Sequence, residues 1–139
     1  MIVLDTNVIS ELAKPVPDSR VVRWANEQYP DQIVTTTVVL AELEFGLALM
    51  PVGERRRLLT EKIALLISDT FAERIYTFDR LAVPYFAKMG VLRKNNGRSI
   101  EAADLMIAAI AVSRGFSVCT RNVADFEFCG VALLNPWAA

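Results

Sequence analysis

Histidine is absent from this chain of 139 residues. That removes Ser-His-Asp and Cys-His nucleophilic sites and His-based acid–base pairs. It also removes zinc sites that need imidazole. Cysteine is scarce: Cys119 and Cys129 cannot form a four-thiolate zinc site and read as small buried hydrophobes in a reducing cytoplasm. No apolar run approaches the roughly 18 residues of a membrane span. No basic segment precedes the first apolar run, so no signal peptide and no membrane association are expected. No Gly-rich phosphate loop is present. Charge of one sign is missing too, since 15 Lys and Arg face 16 Asp and Glu for a net charge of −1. If the chain is a hydrolase, carboxylates with a hard metal remain, with a Ser-Lys pair as a remote option.

Apolar residues are plentiful, at 53%. The length suggests one domain over residues 1–139, large enough for a core without disulfide or metal staples. The apolar surplus suggests a surface covered by another subunit or a partner. Eleven of the fifteen basic residues are Arg. They cluster at Arg55, Arg56 and Arg57, and with Lys94 at Arg93 and Arg98. Such clusters are most often solvated faces, but Arg also suits bidentate phosphate contacts.

Short branched runs alternate with helical patterns. Strands are expected near Ile2–Leu4, Ile33–Thr36, Arg74–Phe78, Phe116–Thr120 and Ala132–Leu134. Helices are expected from Val8, from Asp18 or Ser19, from Val38 and from Glu54, then from Asp79 with Pro84 in its first turns. A last, strongly apolar one runs from Ile100 to Arg114, capped by Ser99 and ended by Gly115. Strands alternating with helices make an α/β fold, a parallel sheet of about five strands covered on both faces.

Four acids stand in unusual contexts. Asp5 ends the first strand and is followed by Thr6 and Asn7, where open α/β sheets bind ligands; capping of the next helix is the plain alternative. Glu42 lies in an apolar helix two residues from Glu44, so one faces inward and the other water, and Glu42 is the inward choice. Asp104 lies in the second turn of the apolar helix, where a lone buried carboxylate costs several kcal/mol. Asp125 follows the fourth strand in a polar turn with Thr120 and Asn122. In a parallel sheet, strand C-termini and helix N-termini share an edge, so all four carboxylates can meet there. Such an oxygen-rich cluster suits Mg²⁺ or Mn²⁺, which can acidify a bound water and support in-line phosphoryl displacement.

Leu4-Asp5-Thr6-Asn7, Glu42-Leu43 with Gly46, Ala103-Asp104, and Thr120-Arg121-Asn122 with Asp125-Phe126 resemble the PIN-domain ribonucleases, above all the VapC-like toxins and their FitB-like branch. The likeness spans nearly the whole chain, with the four motifs in the family's order. It implies an α/β/α sandwich and a Mg²⁺- or Mn²⁺-dependent endoribonuclease acting as the toxin of a bacterial toxin–antitoxin pair. It further implies a homodimer inhibited by its cognate antitoxin, with operator DNA bound only through that antitoxin. Carried over by motif, Asp5, Glu42, Asp104 and Asp125 are the catalytic quartet. Asp5 and Asp104 are the foremost metal ligands; Glu42 and Asp125 assist directly or through water. Thr6, Asn7, Thr120 and Asn122 support them. Arg93, Lys94 and Arg98, beside the loop before Asp104, are candidate RNA contacts.

Two other classes fit less well. A phospho-acceptor receiver domain would want an acid beside Asp5 and a late Lys, and no Lys follows Arg114. A PIN scaffold without catalysis would not need the intact quartet.

Overall fold

Branched residues dominate the short apolar runs, and each run becomes one strand of a single sheet. The computed structural model describes residues 1–99 and 101–138. Its strands are β1 (Ile2–Leu4), β2 (Ile33–Thr36), β3 (Ile75–Tyr76), β4 (Ser117–Cys119) and β5 (Leu133–Leu134). They lie in the order β3-β2-β1-β4-β5, and every pairing is parallel. Val3 sits between Val34 and Val118 at the centre. All four β2 residues are buried, as expected when both faces are covered.

The helices are α1 (Thr6–Leu12), α2 (Ser19–Asn26), α3 (Thr37–Leu49), α4 (Glu54–Leu66), α5 (Val83–Asn95) and α6 (Ala102–Ser113). Helix α6 packs on α5, α3 and β4, while α1 packs on α2, α3 and α4. The middle of α6, Ile107 to Ala111, is fully buried. An all-apolar helix can occupy that place because its backbone bonds are satisfied internally. Among the described residues, no helix is long and apolar enough to cross a membrane.

Three helix starts differ from the sequence reading by more than one residue. Helix α1 begins at Thr6, because the Asp5 carboxylate accepts from the Thr6 N–H at 2.8 Å and caps it. Helix α5 begins at Val83, not Asp79. Asp79 instead accepts from the Ala82 N–H and pairs with Arg114, closing a turn ahead of the helix. Helix α6 has Glu101, not Ser99, at its N-cap, with no side-chain cap bond. Ile100, the expected first residue of that helix, lies outside the described residues.

The chain reverses its direction of travel across the sheet between β1 and β4. From β1 it goes to β2 and β3 on one side, and later returns to β4 and β5 on the other. The loops after β1 and β4 therefore diverge and leave a crevice at their C-terminal ends, the usual ligand position in such sheets.

Candidate active site

The crevice opens into a cavity of about 710 Å³, and Asp5, Glu42, Asp104 and Asp125 all line it. Each arrives on a different element: the end of β1, α3, the first turn of α6, and the short 3-10 turn Val123–Phe126 after β4.

Asp5 is only 4% exposed and tightly held. One oxygen, Oδ1, caps α1. The other, Oδ2, accepts from Thr120 Oγ1 at 2.8 Å and from Asn7 Nδ2 at 3.2 Å. Capping and cavity lining are thus compatible, because the two oxygens have different neighbours. Burial pushes the Asp5 carboxyl above its ordinary range; the bonds from Thr120, Thr6 and Asn7 pull it back, and the charge of Asp125 adds to the rise.

Thr120 is fully buried, and its hydroxyl is the hub of the site. It donates to Asp5 and accepts from the Asn122 N–H at 3.1 Å and from Asn7 Nδ2 at 3.3 Å. Asn7 Oδ1 in turn accepts from the Arg121 N–H at 3.0 Å. Asn7 and Thr120 therefore lock the loop after β1 to the loop after β4. Thr6 Oγ1 donates to Glu42 Oε1 at 2.8 Å, tying α1 to α3. Burial raises the Glu42 carboxyl, opposed by Thr6 and reinforced by the charge of Asp5. Glu44 lies in a separate groove between α3 and α4, so the inward and outward choice for the two acids stands.

Asp104 has no hydrogen-bond partner of its own among the described residues. Its carboxyl is pushed up to about 7, first by burial, then by the charges of Asp5, Asp125, Glu42 and Glu101. Like charges held close each favour the neutral form of the other. The four acids are thus near enough to feel one another. Among the described residues, however, no three His, Cys, Asp or Glu side chains converge tightly enough to enclose one ion. This donor set fits a hard cation that keeps part of its water shell and takes only one or two carboxylates directly. It offers nothing to a softer metal that wants nitrogen or sulfur. Cys119, beside Asp5 at the end of β4, is buried with its thiol pushed up to about 12, chiefly by burial.

One group of candidates must be corrected. Arg93 is only 3% exposed and does not face solvent or the cavity. Its guanidinium donates to the main-chain oxygens of Ser99 (2.9 Å), Ala124 (3.3 Å) and Glu127 (2.7 Å). It clamps α5 to the segments before Asp104 and on either side of Asp125. A guanidinium suits that task because its donors fan out in one plane. Arg93 is therefore unavailable to a phosphate. Arg98 pairs with Glu127 at 3.1 Å and lies over the Phe128 ring. Lys94 is exposed on the last turn of α5. Neither lines the cavity.

The sequence reading also passed over residues that do line it, among them Lys14, Glu101, Arg121 and Trp137. Arg121 lay inside the Thr120–Asn122 motif and could have been singled out. Nothing local marks Trp137, which comes from the far end of the chain.

Comparison with known proteins agrees with this architecture. Residues 2–127 match the PIN domain family. The chain is 42% identical to VapC ribonuclease Y4jK of Sinorhizobium fredii, over 99% of this chain and 98% of that one. It is 38% identical to toxin FitB of Neisseria gonorrhoeae, over 99% of both. The structure of FitAB bound to an IR36 DNA fragment contains a chain that superposes with a TM-score of 0.89 at 37% identity, covering 99% of this chain and 96% of that one.

Proposed function

Because this chain belongs to the PIN domain family, we propose that it is a Mg²⁺- or Mn²⁺-dependent endoribonuclease and the toxin of a bacterial toxin–antitoxin pair. The observation that carries the reading is the meeting of four carboxylates from four elements in one cavity at the sheet's switch point, with Asp104 raised to about 7 by burial and by its neighbours' charges. Relatives named ribonuclease and toxin, similar over almost their full lengths, support it.

In this reading Asp5 and Asp104 would hold the cation, with Glu42 and Asp125 assisting directly or through water. When bound, the cation lowers the pKa of a water and neutralises charge on the phosphate during in-line displacement. The chain's own residues prepare for this. Three donors fix the direction of the Asp5 carboxylate, so little freedom is left to lose on binding. Thr6 holds Glu42 by one oxygen and leaves the other open. Asp104, raised to about 7 by burial and by its acidic neighbours, is the acid whose charged form a bound cation would favour most.

The partners follow from the same reading: an RNA substrate, a cognate antitoxin, and a second copy of the chain in a homodimer, in the cytoplasm. Operator DNA is reached only through the antitoxin, in keeping with the FitAB complex on DNA. Leu81, Val83, Tyr85, Val91 and Leu92 are exposed on and beside α5, apolar surface that a subunit contact would cover.

The test is dialysis against chelator, followed by RNA cleavage with and without Mn²⁺. Cleavage should require the ion and vanish in Asp5→Asn and Asp104→Asn. Cleavage that persists in both variants refutes the assignment; a folded wild type that never cuts RNA would mark a scaffold without catalysis.

A further inference from the structure

Two cationic side chains, Lys14 and Arg121, line the acidic cavity among the described residues. Lys14 is committed to Glu11 at 3.0 Å. Arg121 forms no ion pair among the described residues. Its position is nonetheless set. Its backbone N–H is held by Asn7 Oδ1. Its guanidinium lies over the Trp137 ring, 5.2 Å from the centroid. Trp137 is only 7% exposed, and its main-chain oxygen accepts from Arg20, whose guanidinium is gripped by both oxygens of Asp18. A relay from Asp18 through Arg20 and Trp137 thus supports Arg121 at the lip of the cavity.

An arginine serving only to neutralise the four acids would fold onto one of them. This one lies over an indole instead, and its guanidinium donors make no hydrogen bond among the described residues. Those donors match the oxygens of a phosphodiester, and their charge suits a polyanion that must approach a negatively charged cavity.

We propose that Arg121, braced by Trp137, is a phosphate-contact residue for the RNA substrate, gripping the backbone beside the acidic cavity. This rests on the ribonuclease reading above, and it gives to Arg121 the role that Arg93 cannot fill. Arg121 acts in binding and orientation; the carboxylates remain the reacting site.

The experiment uses the full chain carrying Asp104→Asn, so that RNA is not cut, in Mg²⁺. The probe is a short, fluorescently labelled single-stranded RNA of mixed sequence, with affinity measured by anisotropy across a salt series. Adding Arg121→Gln should weaken binding about tenfold. It should also make the slope of log affinity against log salt less negative by about 0.7, the value of one single-strand phosphate contact. Arg121→Lys should keep the slope and recover only part of the affinity, because a point charge replaces a planar fork. Mn²⁺ affinity, read by calorimetry in a chain with Asp104 intact, should be unchanged or tighter in Arg121→Gln. Unchanged RNA affinity and slope would overturn the proposal, and tighter Mn²⁺ binding alongside them would make Arg121 a counter-ion instead. A lowered melting temperature with an unchanged slope would make it a structural brace for the C-terminal segment, which also overturns it. Failure of the parent protein to bind RNA at all would overturn this inference, while the ribonuclease reading is decided separately by Mn²⁺-dependent cleavage in the wild type.

Discussion

Replacing Asp104 with Asn should make the metal-free protein more stable at pH 8 while abolishing the proposed activity. The carboxyl has an ordinary pKa of 3.8 and is raised to about 7 in the folded chain. Below pH 4 it is protonated whether the chain is folded or not, and its contribution to stability is complete. Between pH 4 and 7 the folded state holds a proton that the unfolded state has lost, so that contribution falls as pH rises. Above pH 7 both states are ionised, and the folded one carries the full penalty of charge burial and repulsion. At about 1.4 kcal/mol per unit, the upper bound is roughly 4 kcal/mol. Water and salt in the open cavity screen the charges and reduce this to about 1–2 kcal/mol. For a domain of this length that is a rise in melting temperature of about 3–7 °C. Asn keeps the shape of the neutral acid, so wild type and variant should converge near pH 4. Thermal melting in chelator across this pH range reads the effect directly. Mn²⁺ at about a hundred times its dissociation constant should then stabilise wild type by about 2.7 kcal/mol and the variant much less. A variant that melts below wild type at pH 8, with both shifted equally by Mn²⁺, would refute the reasoning and make Asp104 an ordinary structural acid.

Thr120→Val removes the hydroxyl that holds Asp5 Oδ2 and lowers the Asp5 pKa. Asp5 should titrate higher, and Mn²⁺ affinity should fall more at pH 6 than at pH 8, as calorimetry at the two pH values would show; Thr120→Ser should restore it. Arg93→Met strips a donor from three main-chain oxygens and should cost about 2–4 kcal/mol in chemical denaturation, without changing the salt slope of RNA binding. Sedimentation of the isolated protein at micromolar concentration should give a species of about twice 15.4 kDa; a monomer would leave the exposed residues of α5 without their proposed cover.

Much of this architecture was legible locally. A branched run followed by a turn is a strand end whatever it pairs with, so Ile2–Leu4 and Ile33–Thr36 emerged with the expected boundaries. An ionised group among apolar neighbours is costly, and that alone drew attention to Asp104 and Glu42. Helix starts were less legible, because capping depends on backbone geometry. Asp79 and Ser99 have the right chemistry for caps, yet α5 and α6 begin beyond them.

The spacing of the acids along the chain left open how they meet. The bond from Thr120 to Asp5 spans 115 positions, and that from Arg20 to the Trp137 carbonyl spans 117. Such pairs leave no periodic trace, because helix and strand patterns record only which neighbours share a face. The misplacement of Arg93 has the same origin. A basic cluster at a helix end reads as surface, since burying a guanidinium is ruled out unless enough acceptors surround it. The acceptors here are main-chain oxygens brought in from the loop before α6 and the turn around Asp125. Main-chain oxygens are present at every residue, so sequence alone marks none of them as the partner of a buried arginine. Composition and local pattern determined the sheet, its helices and the identity of four unusual acids. Tertiary structure decided which polar groups those acids face and which arginine stands beside them, because both depend on contacts between segments far apart in the chain.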